Sequence, residues 1–437
     1  MDGLAPRRVH RGVPGWRCGF VFVALRLVGD ARKGVGMFPS GGPAWIEMLQ
    51  QLWVPGVWVL LGALVLSLVA TPVFRWIAVL RHVVDQPDQA VKIHRQPIPY
   101  LGGCAIWLAW TVPVGVYALV AKDVNWLPVV ALLAGGTVAF VTGLVDDLKE
   151  IDPRTKLIGQ AAAGAILLAG GIRWLAYPNL HWLPILDLAS GSLVVVVVCL
   201  IMHFLVVIGA TNATNLLDGL DGLCSGVTVT ISVGFLLLAT SLAAWANPEW
   251  NPVHPIQYEY SSLIIVAAFA LAGAAIGFLP YNFPPARIFM GDAGSIFIGY
   301  VLAAMMIMFA SRHGMVKWFV GALFIFGLPI FDTGLALVRR VLNHRPIMMP
   351  DRSHLYNQMV DRLGLSLQAT VGILLLVSAL MAAAGLLVLY IRGRYATAIY
   401  AVGGAAFLLV AWRLGLLRMT GQEKAAADRY LNRRRGA

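Results

Sequence analysis

Charge is what this chain has least of. Asp, Glu, Lys and Arg make up 12% of its 437 residues, against about 25% in a soluble globular domain. That scarcity, beside 59% hydrophobic residues, excludes an ordinary water-soluble protein and leaves a polytopic membrane protein. Cysteine is scarce as well. The four present, Cys18, Cys104, Cys199 and Cys224, form no CxxC pair, which argues against a zinc site and a disulfide framework. Three of them lie in or beside apolar stretches, where a thiol behaves as a small hydrophobe. The charge that remains leans positive, at net +12. It is spread over loops between apolar stretches and not gathered in one soluble domain, so a nucleic-acid partner is not expected.

Crossing a bilayer takes about 20 apolar residues. Eleven such spans are expected, near 53–72, 102–120, 127–145, 157–175, 191–209, 222–245, 262–280, 293–310, 317–338, 367–391 and 396–412. With the loop after the first span placed in the cytoplasm, the inner loops and tail hold twenty Lys and Arg and the outer loops six. That asymmetry sets the orientation and predicts an inner (plasma) membrane protein. The expected organisation is an N-terminal extension over 1–47, disordered or preceding a later true start, a transmembrane domain over 48–416 and a basic tail over 417–437. Arg433, Arg434 and Arg435 in the tail suit anionic lipid.

Acidic residues beside hydrocarbon are costly and mark functional sites, and four polar clusters fall on the predicted cytoplasmic side. Asp146 and Asp147 end the third span, with Lys149, Arg154 and Lys156 close behind. As a solvated helix end they need no further role; as a site they suit Mg²⁺ or phosphate, with Lys156 as counter-charge. Asn212, Asn215, Asp218 and Asp221 recur every three residues. On a helix that spacing sweeps half the circumference, and Gly219 and Gly222 let backbone approach a ligand. Helix caps explain one such residue more readily than four.

Asp292 lies in the run Phe289-Met290-Gly291-Asp292-Ala293-Gly294-Ser295, as a helix cap or as one of the one or two carboxylates that Mg²⁺ takes beside water and phosphates. Phe289 is placed to stack on a base or to anchor at the interface. In the last inner loop, Arg352 and His354 offer donors to a diphosphate, together with Arg339, Arg340 and Arg345. The Pro/Gly-rich loop from Asp85 to Gly103 carries Lys92, His94 and Arg95. His203, alone inside the fifth span, reads as a packed core residue.

Together these runs resemble the polyprenyl-phosphate N-acetylhexosamine-1-phosphate transferase family, over about residues 53 to 416. The resemblance rests on Asp85 and Pro87 through Gly103, on Asp146-Asp147 with Lys156 through Gln160, and on Asn215 through Leu223. It continues in Asn282, Pro285 and Ala286, the Phe289–Ser295 run, Pro329 through Asp332, and Asp351 through His354. It implies an all-α membrane enzyme in which a polyprenyl (undecaprenyl) phosphate attacks the β-phosphorus of a UDP-N-acetylhexosamine. The products are polyprenyl-diphospho-sugar and UMP, and the reaction requires Mg²⁺, with Mn²⁺ as a substitute.

Carried over residue by residue, the resemblance makes Asp146, Asp147, Asp218, Asp221 and His354 catalytic. It makes Asp292 and Asp218 the metal carboxylates, and Lys92, His94, Lys156, Asn212, Asn215, Asn282, Phe289 and Arg352 the substrate contacts. A homodimer is compatible with it. The branch using UDP-N-acetylglucosamine reads His-x-His-His in the last inner loop, whereas this chain reads His354-Leu355-Tyr356-Asn357. That is nearer than the three-histidine run of the peptidoglycan branch, phospho-N-acetylmuramoyl-pentapeptide transferase, which is the alternative. A transporter is the rival from another class, but it would place its polar residues at midplane and not at span ends on one side.

Overall fold

In hydrocarbon a backbone must satisfy its own polar groups, and among spanning elements only a helix does so within one segment. The computed structural model describes residues 43–85, 97–122, 124–174, 193–246, 258–311, 316–343, 354–391, 393–413 and 415. They form helices α1 (Pro43–Leu80), α2 (Gly102–Val120), α3 (Trp126–Lys149), α4 (Pro153–Ala169), α5 (Leu193–Leu217), α6 (Leu223–Ala246) and α7 (Tyr258–Asn282), followed by α8 (Gly291–Ala310), α9 (Val316–Ile325), α10 (Gly327–Leu342), α11 (Leu355–Leu363), α12 (Leu367–Leu386) and α13 (Gly393–Arg413). A two-residue antiparallel ladder, β1 (Val84–Asp85) with β2 (Ile98–Pro99), pinches the ends of the α1–α2 connection. Among the described residues eight helices are long and apolar enough to cross a membrane, or nine if α9 and α10 make one span.

The boundaries differ from the expected spans where local chemistry decides. Helix α4 begins at Pro153 and not at 157, because Asp152 accepts a hydrogen bond from the Arg154 amide and proline suits the first helical position. This carries Lys156 into the first turn of a helix. Gly170 and Gly171, the latter at φ +82°, then stop α4 at 17 residues, short of the expected 175. The expected span 317–338 is two helices bent by 75°. Pro329 lacks an N–H and its ring would collide with the carbonyl of Ile325 in a continuous helix, so a new helix starts at Gly327 and takes Pro329 into its first turn.

Two helices are the interior of the bundle. The spanning window of α8 is wholly covered, with α3 and α5 on two sides and α2, α9 and α7 beside them. Helix α7 lies between α1 and α6. Polar contacts tie these layers: Trp110 Nε1 donates to Ala267 O at 3.1 Å and Ser67 Oγ to Ala274 O at 2.8 Å. Pro72 cannot bond the Leu68 carbonyl of its own helix, and the hydroxyl of Tyr281 donates to it instead at 3.1 Å. Outside, Val65 and Val69 of α1, Leu119 of α2 and Leu376 and Leu380 of α12 are exposed, as suits faces that lipid covers. Cys104 and Cys224 are buried thiols outside any disulfide.

Helix α3, at 24 residues, is about 36 Å long, enough for a hydrocarbon layer of about 30 Å. Single cysteines at Lys122 and Glu150, in a cysteine-free background, are therefore expected to react with an impermeant maleimide from opposite sides of the membrane. Labelling of both from one side would mean that α3 does not cross.

Candidate functional site

The helix ends that carry the acidic clusters meet at one end of the bundle, and the meeting is built from backbone outward. Gly291 adopts φ +68°, and a β-carbon there would strike the Asp147 carboxylate. Glycine lets the chain turn sharply and present the first amides of α8 to that carboxylate. The Asp292 amide donates to Asp147 Oδ1 at 2.8 Å and the Ala293 amide to Asp147 Oδ2 at 2.9 Å. Asp147 thus satisfies two of the amides left open at a helix start, where the helix dipole also favours an anion. From behind, the Gly102 and Gly103 amides donate to Phe289 O and Met290 O, and the Phe289 amide donates to Pro99 O. The Tyr100 hydroxyl donates to Asp147 O at 2.9 Å.

Held in this way, Asp292 points both oxygens at partners from other helices. Oδ1 accepts from Asn215 Nδ2 at 2.7 Å, and the same amide reaches Ser295 Oγ at 3.0 Å. Oδ2 is paired with Lys156 Nζ, which also lies 3.0 Å from Asp146 Oδ2. The second oxygen of Asp146 accepts from the Ile151 amide at 2.9 Å. One lysine ammonium thus bridges the ends of α3 and α8. Beneath it on α4, Gln160 Oε1 accepts from Asn212 Nδ2 at 2.8 Å.

Helix α5 ends at Leu217, so of the four residues spaced by three only Asn212 and Asn215 are helical, and Asp218 and Asp221 lie in the turn before α6. Burial pushes Asp218 well above the usual carboxylate range, reinforced by the charges of Asp292, Asp147 and Asp221. Asp221 Oδ2 accepts from the Ala286 amide at 2.9 Å. Asn282, expected as a nucleotide contact, is buried and spends its amide on the protein: Oδ1 accepts from the Gly222 amide and Ser225 Oγ, and Nδ2 donates to Ile288 O. Asp221 and Asn282 together clamp the α5–α6 turn to the α7–α8 loop.

His354 is buried. Its Nδ1 is 2.8 Å from Asp332 Oδ2, and Asp332 Oδ1 accepts from the Leu355 amide at 2.7 Å. The Tyr356 ring is stacked parallel on His354, and its hydroxyl abuts Gly219, which brings the start of α11 to the Asp218 turn. The structure therefore gathers Asp146, Asp147, Lys156, Asn215 and Asp292 into one network. Asp218 feels the charge of that network, while Asn212, Asp221, Asn282 and His354 border it. Phe289 contributes its backbone to the support of the loop and its side chain is half-buried. Lys92, His94 and Arg352 lie outside the described residues, as do the cysteine and loop charges at 18, 345 and 351.

Sequence reasoning gave no role to Ser295, Gln160, Asp332 or Tyr356. Asp332 carries a readable signal, an acid inside an otherwise apolar segment; the partners of the others depend on which helices become neighbours. His203, as expected, is a packed residue, with Nε2 against Gly164 O at 2.8 Å.

Among the described residues no group of three or more His, Cys, Asp or Glu is arranged to hold a metal by itself. Mg²⁺ does not require one, since it takes one or two carboxylates and completes its shell with water and substrate phosphate. The hard oxygen donors of Asp292 and Asp218, among five neighbouring carboxylates that Lys156 offsets only in part, fit such an ion. Softer metals would want nitrogen or sulfur.

The family described as glycosyl transferase family 4 matches residues 129–310, the stretch holding every member of the carboxylate network. A relative from Bacillus subtilis, "Probable undecaprenyl-phosphate N-acetylglucosaminyl 1-phosphate transferase", is 28% identical over 349 residues, covering 76% of this chain and 84% of the relative. "Decaprenyl-phosphate N-acetylglucosaminephosphotransferase" of Mycobacterium tuberculosis (strain ATCC 25618 / H37Rv) is 29% identical over 69% of this chain and 74% of the relative. "Phospho-N-acetylmuramoyl-pentapeptide-transferase" of Geobacter sp. (strain M21) is 31% identical over 64% and 78%. The same helix ends that the structure joins thus lie in the shared region, and the chain belongs to glycosyl transferase family 4.

Proposed function

We propose that this protein transfers N-acetylglucosamine-1-phosphate from its UDP-sugar to a polyprenyl (undecaprenyl) phosphate, the first membrane step of a cell-envelope polysaccharide. In this reading a lipid-phosphate oxygen attacks the β-phosphorus, the bond from that phosphorus to the bridging oxygen breaks, and UMP leaves with the oxygen. The observation that carries the reading is the network of Asp146, Asp147, Lys156, Asn215 and Asp292 at the mouth of membrane helices. The likeness to transferases for N-acetylglucosamine supports that sugar over the muramoyl-pentapeptide, because their similarity extends over more of the chain. Eleven spans, with α4, the α9–α10 pair and α13 added to the eight, put the site on the cytoplasmic face of the inner membrane, where UDP-sugars are made.

Two anionic phosphates must come together, and the lowest barrier belongs to a site that screens both. Mg²⁺ held by Asp292 and Asp218 would supply that screening and stabilise charge passing to UMP. Lys156 adds a fixed positive charge beside Asp292. Asn215, itself held by Ser295, orients the Asp292 carboxylate, and Asp147 fixes the backbone that carries it. The lipid phosphate needs little help from a base, since the second pKa of a phosphate monoester is about 6. Each of the four carboxylate oxygens of Asp146 and Asp147 accepts a hydrogen bond from the protein, which favours a positioning role for the pair and direct attack by the lipid phosphate.

Purified protein with polyprenyl phosphate is expected to release UMP from UDP-N-acetylglucosamine and not from UDP-N-acetylmuramoyl-pentapeptide; the reverse preference would move the chain to the peptidoglycan reaction. Asp292→Asn should lower turnover on the order of 10²–10³-fold without rescue by saturating UDP-sugar. Near-normal turnover would leave Asp292 a structural partner of Lys156 and Asn215 only.

Direct attack predicts that enzyme given UDP-sugar without lipid shows no stoichiometric burst of UMP. A burst lost on replacing Asp146 or Asp147 would instead establish a phospho-enzyme.

The raised Asp218 carboxyl yields a stability test. Its ionised form is the one that burial penalises, so the cost is absent below the ordinary carboxylate range and grows as pH rises through its elevated pKa. Without divalent metal, Asp218→Asn should melt a few degrees above wild type at pH 8, and the gap should close on acidification. Added Mg²⁺ should raise the wild-type melting temperature more than the variant's. An equal metal response in both would remove Asp218 from the metal site.

A further inference from the structure

The segment that departs from the family pattern, His354-Leu355-Tyr356-Asn357, forms a contact that the transfer chemistry above does not use. Asp332 holds the start of α11 twice, by His354 Nδ1 at 2.8 Å and by the Leu355 amide at 2.7 Å. The imidazole is thereby fixed in plane, and the Tyr356 ring lies against it with centroids 5.7 Å apart and planes 6° from parallel. Tyr356 is buried at 5% exposure, as are Asp332 and His354 at 3% and 4%. The ring ends at the α5–α6 turn: a β-carbon on Gly219 would run into the Tyr356 hydroxyl. Gly219 directly follows Asp218, whose carboxyl is in the electrostatic field of Asp292 and Asp147.

We propose that Tyr356 is a positioning residue of the transfer reaction: braced by His354 and Asp332, its hydroxyl sets where the Gly219 turn, and with it Asp218, stands relative to Asp292. The inference rests on the functional reading above for its kinetic consequence, but the contact itself is a property of the fold. A rigid aromatic ring suits the task because it has two side-chain torsions and its tip is a polar stop. The hydrogen bond between Asp332 and His354 fixes the imidazole against which that ring lies. Two stretches of the chain that are far apart in sequence are so joined. The α10–α11 segment, reached through the 75° bend, reports its position to the carboxylate turn through one side chain.

The test pairs Gly219→Ala with Tyr356→Phe. A methyl at 219 must displace either the hydroxyl or the turn, so Gly219→Ala should lower kcat by up to about 100-fold, the cost of a misplacement near 1 Å, while KM for UDP-N-acetylglucosamine stays near wild type and the melting temperature falls by a few degrees, as overpacking dictates. Removing the hydroxyl relieves the hardest overlap but leaves Cζ 2.7 Å from the added methyl, so the Gly219→Ala/Tyr356→Phe double variant should restore part of that loss. Tyr356→Phe alone, measured whether or not Gly219→Ala folds, should lower kcat several-fold at unchanged KM.

Wild-type kcat in both single variants, or a double variant no faster than Gly219→Ala, would overturn the proposal. So would a loss seen only in melting temperature. Should wild type fail to act on UDP-N-acetylglucosamine, the functional reading fails, and the contact is then judged by thermal unfolding alone. Non-additive effects of the two substitutions on the melting temperature would sustain the contact, and additive effects would refute it.

Discussion

The pairing of the Asp147 carboxylate with the Asp292 and Ala293 amides is the contact on which the site depends. Helix α8 is the innermost helix of the bundle, and its first amides need an acceptor that its own turns cannot supply. An acceptor has to come from another helix, and the end of α3 supplies it. The geometry requires Gly291 with its positive φ and tolerates no side chain there. Gly143 on α3 meets the Asp292 backbone closely enough that a β-carbon would collide with it, so the two helices are pressed together one turn below the hydrogen bonds. With that register fixed, the Asp292 side chain can only face Lys156 and Asn215. A shift of α8 by one residue would point the carboxylate into the apolar bundle.

The same arrangement creates an electrostatic demand. Asp146, Asp147, Asp218, Asp221 and Asp292 lie near one another at the edge of a low-dielectric interior. Removing one partner from a buried ion pair leaves an uncompensated charge, so Lys156, bridging Asp146 and Asp292, balances only part of the whole. Backbone and side-chain amides take up some of the remainder without neutralising it. The residual negative charge would repel a bare phosphate, and the divalent ion proposed above would offset it.

Much of this was legible in the sequence because the bilayer makes acids conspicuous. Asp146, Asp147 and Asp292 stand at the ends of apolar runs, and counting spans puts them on one side, where the structure joins them. Asn212 and Asn215 were legible from their spacing. Asp218 and Asp221 share that spacing but leave the helix at Leu217, since glycines at 219 and 222 end it. What could not be read was partner choice. Nothing in the order of residues says that Asp147 would serve amides while Asp146 serves a lysine. Asn282 has the chemistry of a nucleotide contact, but Gly222, Ser225 and Ile288 take three of its four possible hydrogen bonds. The pairing of Asp332 with His354 joins two turns through a bend that only Pro329 announces, and a stretch read as one span had hidden it.

Polar residues at this end of the bundle thus divide by what their capacity is spent on. Asp147, Asp221 and Asn282 give theirs to backbone amides, carbonyls and hydroxyls of neighbouring loops, and in doing so fix the loops in place. Asp292 gives its bonds to Lys156 and Asn215, and those two reach on to Asp146 and Ser295, through side chains alone. Side-chain pairs of this kind can exchange a partner for a phosphate or a cation at little cost to the fold, because no backbone has to move. Carboxylates anchored to amides cannot do so without loosening a helix end. A membrane enzyme that handles two highly charged substrates needs both kinds: an anchored set so rigid that the loops hold their register, and a second set, a few ångströms away, whose bonds are there to be exchanged.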